Sequence, residues 1–334
     1  MKIIIPMAGR GSRLRPHTLT TPKPLVKIAG KPMVQRLVED LTKGYSGKVD
    51  EIAFIIGDFG PDVPKQLMDI AASLGAKGSV YQQHEPLGTA HAILCAKESL
   101  SGNCFVAFSD TLFSASFDFN PKEDGVIWVQ KVEDPSAFGV VKVDNDQVIT
   151  DFVEKPKEFV SDLAIVGIYY FRDGENLRNE LQYVIDNEIK DKGEYQLTSA
   201  LENMKAKGIK FRPGKIDEWL DCGNKDAVVY TNQRMLTFMG TENHIDPSAT
   251  VENAVILPPC FIGKNAVVKN SVIGPHTSIG NNSLVSNSVI NNSIVQEDST
   301  VANANMSNSM LGNKVDYQGK PSELSLGDFS KYII

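Results

Sequence analysis

Two patterns of apolar and polar positions divide the chain near residue 240. Before that point, short β-rich runs alternate with segments whose apolar residues recur at helical spacing; examples are the strand-like runs 51–56, 78–82 and 104–109 and the helical runs 63–74 and 89–99. Strands that alternate with helices in this way are typical of a parallel sheet flanked by helices. The pattern therefore predicts an α/β domain with a mostly parallel sheet over residues 1–236.

After His244 the pattern changes to an aliphatic residue at every fifth or sixth position, with glycine, asparagine and serine between. The aliphatic residues are Val251, Leu257, Ile262, Val268, Ile273, Ile279, Val285, Ile290, Val295 and Val301. Such a hexapeptide-type repeat places one aliphatic side chain per repeat inside a triangular coil, so residues 237–334 are predicted to form a left-handed parallel β-helix, with 312–334 capping its open end. A low-complexity linker, the alternative, would not need an aliphatic residue in each repeat.

The first strand-like run, 2–6, leads directly into a loop that contains Gly9 and Gly11. Glycine has no Cβ and readily adopts positive φ, so such a loop lets backbone N–H groups approach an anion closely. Arg13 and Lys23 follow and would add the positive charge that a polyphosphate needs. The spacing is not that of a Walker loop, and Leu14 stands where a dinucleotide fingerprint requires its third glycine. The loop therefore predicts a triphosphate site of another kind.

The same segment closely resembles the signature of the sugar-1-phosphate nucleotidyltransferases, G-x-G-[ST]-R-L-x-P-x-T-x-x-x-P-K-P. The matching residues are Gly9, Gly11, Ser12, Arg13, Leu14, Pro16, Thr18, Pro22, Lys23 and Pro24. The resemblance implies a Rossmann-like domain that transfers a nucleotidyl group from a nucleoside triphosphate to a sugar 1-phosphate and releases pyrophosphate. It also implies that the nucleotide contacts Ala8, Gly9, Gly11, Ser12 and Arg13, and that Arg13 and Lys23 stabilise the leaving group.

Two aspartates are the candidate metal ligands. Asp110 follows the apolar run 105–108, and Asp221 lies in the segment Trp219-Leu220-Asp221-Cys222-Gly223. Carboxylate oxygens suit Mg²⁺, which takes one or two protein carboxylates beside substrate phosphates and water. Each aspartate alone would more often be a loop cap or turn residue. The resemblance favours the metal, since family members bind it through an Asp after the corresponding strand and another in a W-x-D-x-G segment.

A second group of residues resembles the sugar-phosphate site of the same family. In Glu154-Lys155-Pro156 the lysine would hold the attacking phosphate, and Gly139 upstream would let the backbone meet a sugar hydroxyl. Glu194 in a G-E-x-x-x-T segment would contact sugar hydroxyls, although it could instead belong to a capping box. Tyr169 would line the sugar pocket, although an alternating core strand explains it nearly as well.

Gln83 and the segment that contains Gly88 and Thr89 resemble the strand and loop that read the nucleobase in the same family. A side-chain amide together with a backbone group can match the alternating acceptors and donors on a pyrimidine edge. The resemblance leaves open whether the nucleotide is UTP or dTTP, and whether the sugar is glucose 1-phosphate or its N-acetylglucosamine analogue. His91 lies in the same segment, and a packing or supporting role is expected for it.

The composition and net charge of the chain limit the classes of molecule that it is expected to bind. The chain has 334 residues and a formal net charge of −7, which argues against nucleic acid or an anionic membrane as the main partner. No apolar run approaches the length of a membrane helix, and the four cysteines are scattered, so we expect a cytoplasmic protein with reduced thiols. The asparagine- and serine-rich coil faces suggest a homo-oligomer.

Two other functions remain open from the sequence. The coil could carry a second, acyltransferase site with His276 as general base, because such coils can transfer acyl groups in clefts between neighbouring subunits. Alternatively, the chain could be a non-catalytic subunit that senses nucleotide sugars. The presence of Arg13, Lys23, Asp110, Lys155 and Asp221 argues against the sensing function.

Overall fold

The structure, a computed structural model, describes residues 1–114 and 119–320. They form two compact units. The N-terminal unit comprises Met1–Val26 and Lys31–Asn224, and the C-terminal unit comprises Lys27–Gly30 and the described residues from Lys225 onward. This division falls twelve residues before the boundary at 236/237 expected from the sequence. The part of the capping tail at 321–334 lies outside the described residues.

The described part of the first 240 residues contains thirteen strands and six α-helices. The strands are β1 (Lys2–Pro6), β2 (Lys27–Ile28, in the C-terminal unit), β3 (Lys31–Pro32), β4 (Glu51–Ile56), β5 (Lys77–Gln82), β6 (Cys104–Ala107), β7 (Thr111–Ser114), β8 (Gly125–Lys131), β9 (Gly139–Val143), β10 (Ile149–Glu154), β11 (Leu163–Phe171), β12 (Phe211–Lys215) and β13 (Glu218–Asp221). The helices are α1 (Met33–Gly44), α2 (Val63–Ser73), α3 (Thr89–Leu94), α4 (Gly174–Asp186), α5 (Leu197–Ala206) and α6 (Lys225–Phe238, in the C-terminal unit).

One mixed sheet forms the centre of the N-terminal unit, in the order β10-β9-β11-β6-β1-β4-β5, with β8 pairing β11 and β12. Strands β6, β1, β4 and β5 run parallel to one another, whereas β11 is antiparallel to β6. The carboxyl ends of the parallel strands therefore lie along one edge, where ligand sites of such sheets occur. The α/β architecture expected from the alternating pattern is confirmed.

The interior strands of this sheet are mostly apolar because both faces of the sheet are covered. All six residues of β4 and all four of β6 are buried. Helix α3 ends at Leu94, five residues before the end of the helical run in the sequence. The backbone from Ala96 to Ser99 bonds three residues back instead of four, so the helix passes into tight turns.

The remaining strands are short and build a parallel coil with three faces. They are β14 (His244–Ile245), β15 (Thr250–Glu252), β16 (Val255–Ile256), β17 (Cys260–Ile262), β18 (Val267–Lys269), β19 (Val272–Ile273), β20 (Thr277–Ile279), β21 (Leu284–Ser286), β22 (Val289–Asn291), β23 (Ile294–Val295), β24 (Thr300–Ala302), β25 (Asn305–Ser307), β26 (Met310–Leu311) and β27 (Asp316–Gln318). The three sheets have the orders β14-β17-β20-β23-β26, β15-β18-β21-β24-β27 and β16-β19-β22-β25. This is the architecture of the predicted left-handed β-helix.

Aliphatic residues stack in columns inside the coil, as the repeat predicts. In one column Val268, Val285 and Val301 are all fully buried and occupy equivalent positions in successive strands. Successive turns are separated by 17 residues at first, as between Asn253 and Asn270, and later by 16, as between Asn282 and Asp298. The corner after β19 is one residue longer than the corner after β22.

Asparagine is frequent in this unit because it occupies the corners. Asn253, Asn270, Asn287 and Asn303 all have φ between 47° and 54°, the left-handed region that asparagine tolerates better than most residues. The side chains also bond from turn to turn, with 2.8 Å between Asn253 Nδ2 and Asn270 Oδ1. The corners are thus stabilised by a ladder of amide hydrogen bonds.

Helix α6 belongs to the C-terminal unit because of Asn232, which is fully buried. Its Oδ1 accepts hydrogen bonds from the Ala29 backbone N–H at 2.9 Å and from Ser278 Oγ at 2.7 Å. Its Nδ2 donates to the His276 carbonyl at 3.3 Å. One amide therefore connects the helix, the segment Lys27–Gly30 and the coil.

Replacing Asn232 with alanine is expected to lower the free energy of unfolding by about 2–3 kcal/mol, because a buried backbone donor and hydroxyl lose their shared acceptor. Urea unfolding of wild type and variant measures the change. Gln233→Ala on the neighbouring, partly exposed position is the control. An equal loss in both variants would contradict the importance of these hydrogen bonds.

Candidate active site

A cavity of about 360 Å³ opens at the carboxyl ends of the parallel strands. Every residue expected to contact the nucleotide lines it: Ala8, Gly9, Gly11, Ser12, Arg13, Gln83, Gly88 and Thr89. Lys23 and Asp110 line it as well. They meet there because β1 ends just before the glycine loop, β5 just before Gln83, and β6 shortly before Asp110.

Two glycines of this cavity cannot be replaced without strain. Gly11 has φ of 61°, and a Cβ on it would lie 2.8 Å from Lys23 Cβ. Gly88 has φ of 118°, and its Cβ would lie 2.4 Å from the Tyr195 carbonyl oxygen. The glycines therefore serve close packing around the cavity as well as backbone conformation.

Four charged side chains interact with one another here: Arg13, Lys23, Asp110 and Asp221. Lys23 is buried, and its Nζ lies 2.9 Å from Asp110 Oδ2, while Asp110 remains 41% exposed at its side chain. Burial raises the pKa of Asp221, the negative charge of Asp110 raises it further, and Lys23 and Arg13 partly oppose the rise. Asp110 thus lies close enough to Asp221 for its negative charge to disfavour the ionised form of Asp221.

A second cavity, of about 270 Å³, adjoins the first. Its lining includes the predicted sugar-phosphate residues Gly139, Glu154, Lys155 and Tyr169, together with Asp221. Both cavities are lined by Arg13, Thr89, Phe108 and Asp110. The two cavities therefore meet at the basic side chain of Arg13 and the acidic side chain of Asp110.

The loop that carries Lys155 has an unusual backbone. Lys155 has φ of 43°, and its N–H donates to the Phe138 carbonyl at 3.1 Å. Lys192 supports this conformation, because its Nζ donates to the carbonyls of Glu154 at 3.1 Å and Lys155 at 2.8 Å. No motif predicts a role for Lys192; its position directly before Gly193-Glu194 is the one signal in the sequence that could have indicated it.

Tyr169 and Glu194, both expected to contact the sugar, border different cavities. Tyr169 is only 5% exposed and stacks on Phe171, so it is a core residue that also borders the second cavity. Glu194 lines the first cavity and accepts a hydrogen bond from Gln196 Nε2 at 3.0 Å. The sequence placed Glu194 with the sugar, whereas the structure places it beside the expected nucleotide residues.

Trp219 is a wall of the second cavity to which the sequence analysis gave no role. Its ring lies 4.7 Å from that of Phe138, between centroids, and β13 carries it two residues before Asp221. Its Nε1 is buried and has no hydrogen-bond partner among the described residues. The W-x-D-x-G segment thus provides an aromatic wall as well as a carboxylate.

Comparison with known proteins identifies the family. A family model described as nucleotidyl transferase matches residues 2–237. The chain belongs to the nucleotidyl transferase family. The match covers the sheet and both cavities, so the Rossmann-like fold and the enzyme class expected from the N-terminal signature are confirmed.

Individual proteins similar to this chain have names that describe the same class of enzyme. The chain is 30% identical to a low-salt glycan biosynthesis nucleotidyltransferase of Haloferax volcanii, over 77% of this chain and 72% of the relative. It is 29% identical to a glucose-1-phosphate thymidylyltransferase of Streptomyces antibioticus, over 79% and 78%. The crystal structure of a nucleoside-diphosphate-sugar pyrophosphorylase from Vibrio cholerae has the same fold, with a TM-score of 0.60 at 22% identity, covering 69% of this chain and 99% of that one.

His276, the candidate acyl-transfer base, lies at a corner of the coil with φ of 60°. Its Nε2 is 3.3 Å from Thr237 Oγ1 of α6, and burial lowers its pKa. The imidazole is therefore already engaged with a helix of its own unit. None of the four cysteines forms a disulfide bond. Among the described residues no helix is both long and apolar enough to cross a membrane.

Proposed function

We propose that this chain transfers a nucleotidyl group from a pyrimidine nucleoside triphosphate, dTTP or UTP, to glucose 1-phosphate or N-acetylglucosamine 1-phosphate. The observation that carries the proposal is the pair of adjoining cavities that share Arg13 and Asp110. A transfer between two anionic substrates needs one space for each of them and charged groups where they meet. The relatives whose names specify sugar-linked nucleotidyl transfer support the same reaction.

In the proposed reaction an oxygen of the sugar 1-phosphate attacks the α-phosphorus of the triphosphate. A new P–O bond forms, the bond from the α-phosphorus to the oxygen that bridges to the β-phosphorus breaks, and pyrophosphate leaves. Such a step depends on positioning and charge neutralisation, so the protein need not supply a nucleophile. Lys155 orients the attacking phosphate, while Arg13 and Lys23 stabilise the pyrophosphate.

Asp110 and Asp221 would hold Mg²⁺. The fit rests on the donor set: two carboxylates that both border the second cavity, with burial and the charge of Asp110 raising the pKa of Asp221. Across residues 1–114 and 119–320, no cluster of three or more His, Cys, Asp or Glu side chains suits a metal. That fits Mg²⁺, which completes its shell with substrate phosphates and water. When bound, it would supply positive charge to the phosphates.

Pyrophosphate release tests the proposal. It is measured with Mg²⁺ across UTP, dTTP, CTP, ATP and GTP, each with several sugar 1-phosphates. We expect release with UTP or dTTP and one class of sugar. Absence of release across the grid, from protein shown to be folded, would contradict the proposal and favour the sensing function.

Self-association through the coil and a cytoplasmic location stay predictions.

Lys192→Met is expected to lower kcat/KM by about tenfold, because the left-handed backbone of Lys155 loses two charge-assisted hydrogen bonds. Lys192→Arg keeps a donor and a positive charge and should restore most of the activity. Steady-state kinetics with the sugar 1-phosphate varied measure both variants. Equal activity of Lys192→Met and wild type would remove Lys192 from the positioning of Lys155.

A further inference from the structure

Gln83 and His91 are joined by a hydrogen bond at the edge of the nucleotide cavity. Gln83 follows β5, and its backbone N–H donates to the Ile56 carbonyl at 2.8 Å, which fixes where the side chain begins. Its Nε2 lies 3.0 Å from His91 Nδ1 and 3.3 Å from the Gly88 carbonyl oxygen. Gln83 lines the cavity, whereas His91, on α3, does not.

The chemistry of these partners determines which way the amide points. A backbone carbonyl can only accept, so the part of the Gln83 amide that faces Gly88 must be the NH₂ group. The second NH₂ proton then points at His91, whose Nδ1 must be the unprotonated nitrogen of a neutral imidazole. Burial lowers the pKa of His91, partly offset by the charge and backbone hydrogen bond of Glu85, so the neutral ring is the expected form.

The remaining polar atom of the amide is Oε1. Both Nε2 protons have partners, and in the described part of the chain no donor is recorded for Oε1. An acceptor at the wall of the nucleotide cavity matches a nucleobase with a protonated ring nitrogen. Uracil and thymine have an N–H at position 3, whereas cytosine has a lone pair there.

We infer that His91 is a positioning residue that holds the Gln83 amide with Oε1 toward the nucleobase, so that the site selects uracil and thymine nucleotides over cytidine nucleotides. The inference rests on the proposed function for the identity of the cavity as a nucleotide site. With His91 in place, a cytosine bound in the same position as uracil or thymine would set its ring lone pair against Oε1. Turning the amide to suit cytosine would bring Oε1 against two acceptors, Gly88 O and His91 Nδ1.

The first test is equilibrium binding, which does not require turnover. Isothermal titration of UTP, dTTP and CTP with Mg²⁺ gives the ratio of Kd values in wild type, His91→Phe and His91→Asn. Phenylalanine keeps a ring but removes the acceptor, so the preference over CTP should fall roughly tenfold, the size expected when a hydrogen-bonded group loses its partner. Asparagine offers an amide oxygen in place of Nδ1 and should retain most of the preference.

Wild type that binds CTP as tightly as UTP and dTTP, or a His91→Phe variant with an unchanged ratio, would overturn the inference. Selective binding of UTP or dTTP without pyrophosphate release from any sugar 1-phosphate would leave the inference standing and contradict the proposed function. The KM for the sugar 1-phosphate should not change in His91→Phe, because His91 does not line the second cavity.

A spectroscopic measurement covers the case in which His91→Phe does not fold. The imidazole ¹⁵N resonances of the five histidines are recorded for wild type, and those of His91 are assigned by their absence in His91→Asn. We expect the neutral tautomer with a bare Nδ1 at neutral pH. A ring protonated at Nδ1 would overturn the inference, since it could not accept from Gln83.

Discussion

Asp221→Asn is expected to lower kcat by about a thousandfold or more, because one of the two carboxylates proposed to hold Mg²⁺ loses its charge and metal charge neutralisation is worth several kcal/mol. The variant should nevertheless be at least as stable as wild type in metal-free buffer. Burial and Asp110 both raise the pKa of Asp221, which means that its charged form is disfavoured in the folded chain. The neutral amide of asparagine removes the cost of holding a charged carboxylate at this position.

Pyrophosphate release in the presence of Mg²⁺ measures the effect on kcat. Thermal unfolding with a chelator present measures the effect on stability. Asp217→Asn is the matched control, since Asp217 is exposed and lies four residues upstream on the same segment. Activity within tenfold of wild type would remove Asp221 from the metal site. Lower activity accompanied by a lower melting temperature would point to a structural role instead.

Lys155→Met is expected to lower kcat/KM for the sugar 1-phosphate by about 10²–10³-fold, the size seen when one preorganised group that stabilises charge is lost. Methionine keeps the length of the stem, and the side chain is 54% exposed, so the fold should be unaffected. The loss should fall on the sugar 1-phosphate, whereas binding of the triphosphate in the first cavity should change little, because Lys155 lines only the second.

Initial rates with each substrate varied in turn separate these effects. Lys157→Met provides the control, because Lys157 is exposed two residues further along and lines neither cavity. Near-normal activity of Lys155→Met would remove this lysine from the mechanism. A loss shared equally by both methionine variants would indicate a general effect of surface charge.

The parts of the site that could be predicted from the sequence are those contained in a short motif. Gly11 and Lys23 are twelve residues apart and meet as expected, because a single loop carries both. Asp110 could be placed because it follows a strongly apolar strand, and the end of a parallel strand fixes which edge of the sheet it reaches.

The parts that could not be predicted depend on contacts between distant segments. Lys192 donates to the backbone carbonyls of Glu154 and Lys155, which lie 38 and 37 positions earlier in the chain. Every residue has a backbone carbonyl, so the sequence does not indicate which ones Lys192 contacts. Helix α6 continues the first domain by pattern, yet Asn232 bonds to groups at positions 29, 276 and 278. A polar residue in a helix can be recognised, but its partners cannot.

The change from 17 to 16 residues per turn in the coil shows what determines its register. The columns of aliphatic residues continue without a break across that change, and the difference is absorbed at one corner. Core side chains therefore fix the stacking, whereas the corner accepts chains of different length. In evolutionary terms, this corner is where the coil can gain or lose residues, and hence acquire a new loop, while an insertion inside a strand would turn its aliphatic residue out of the core.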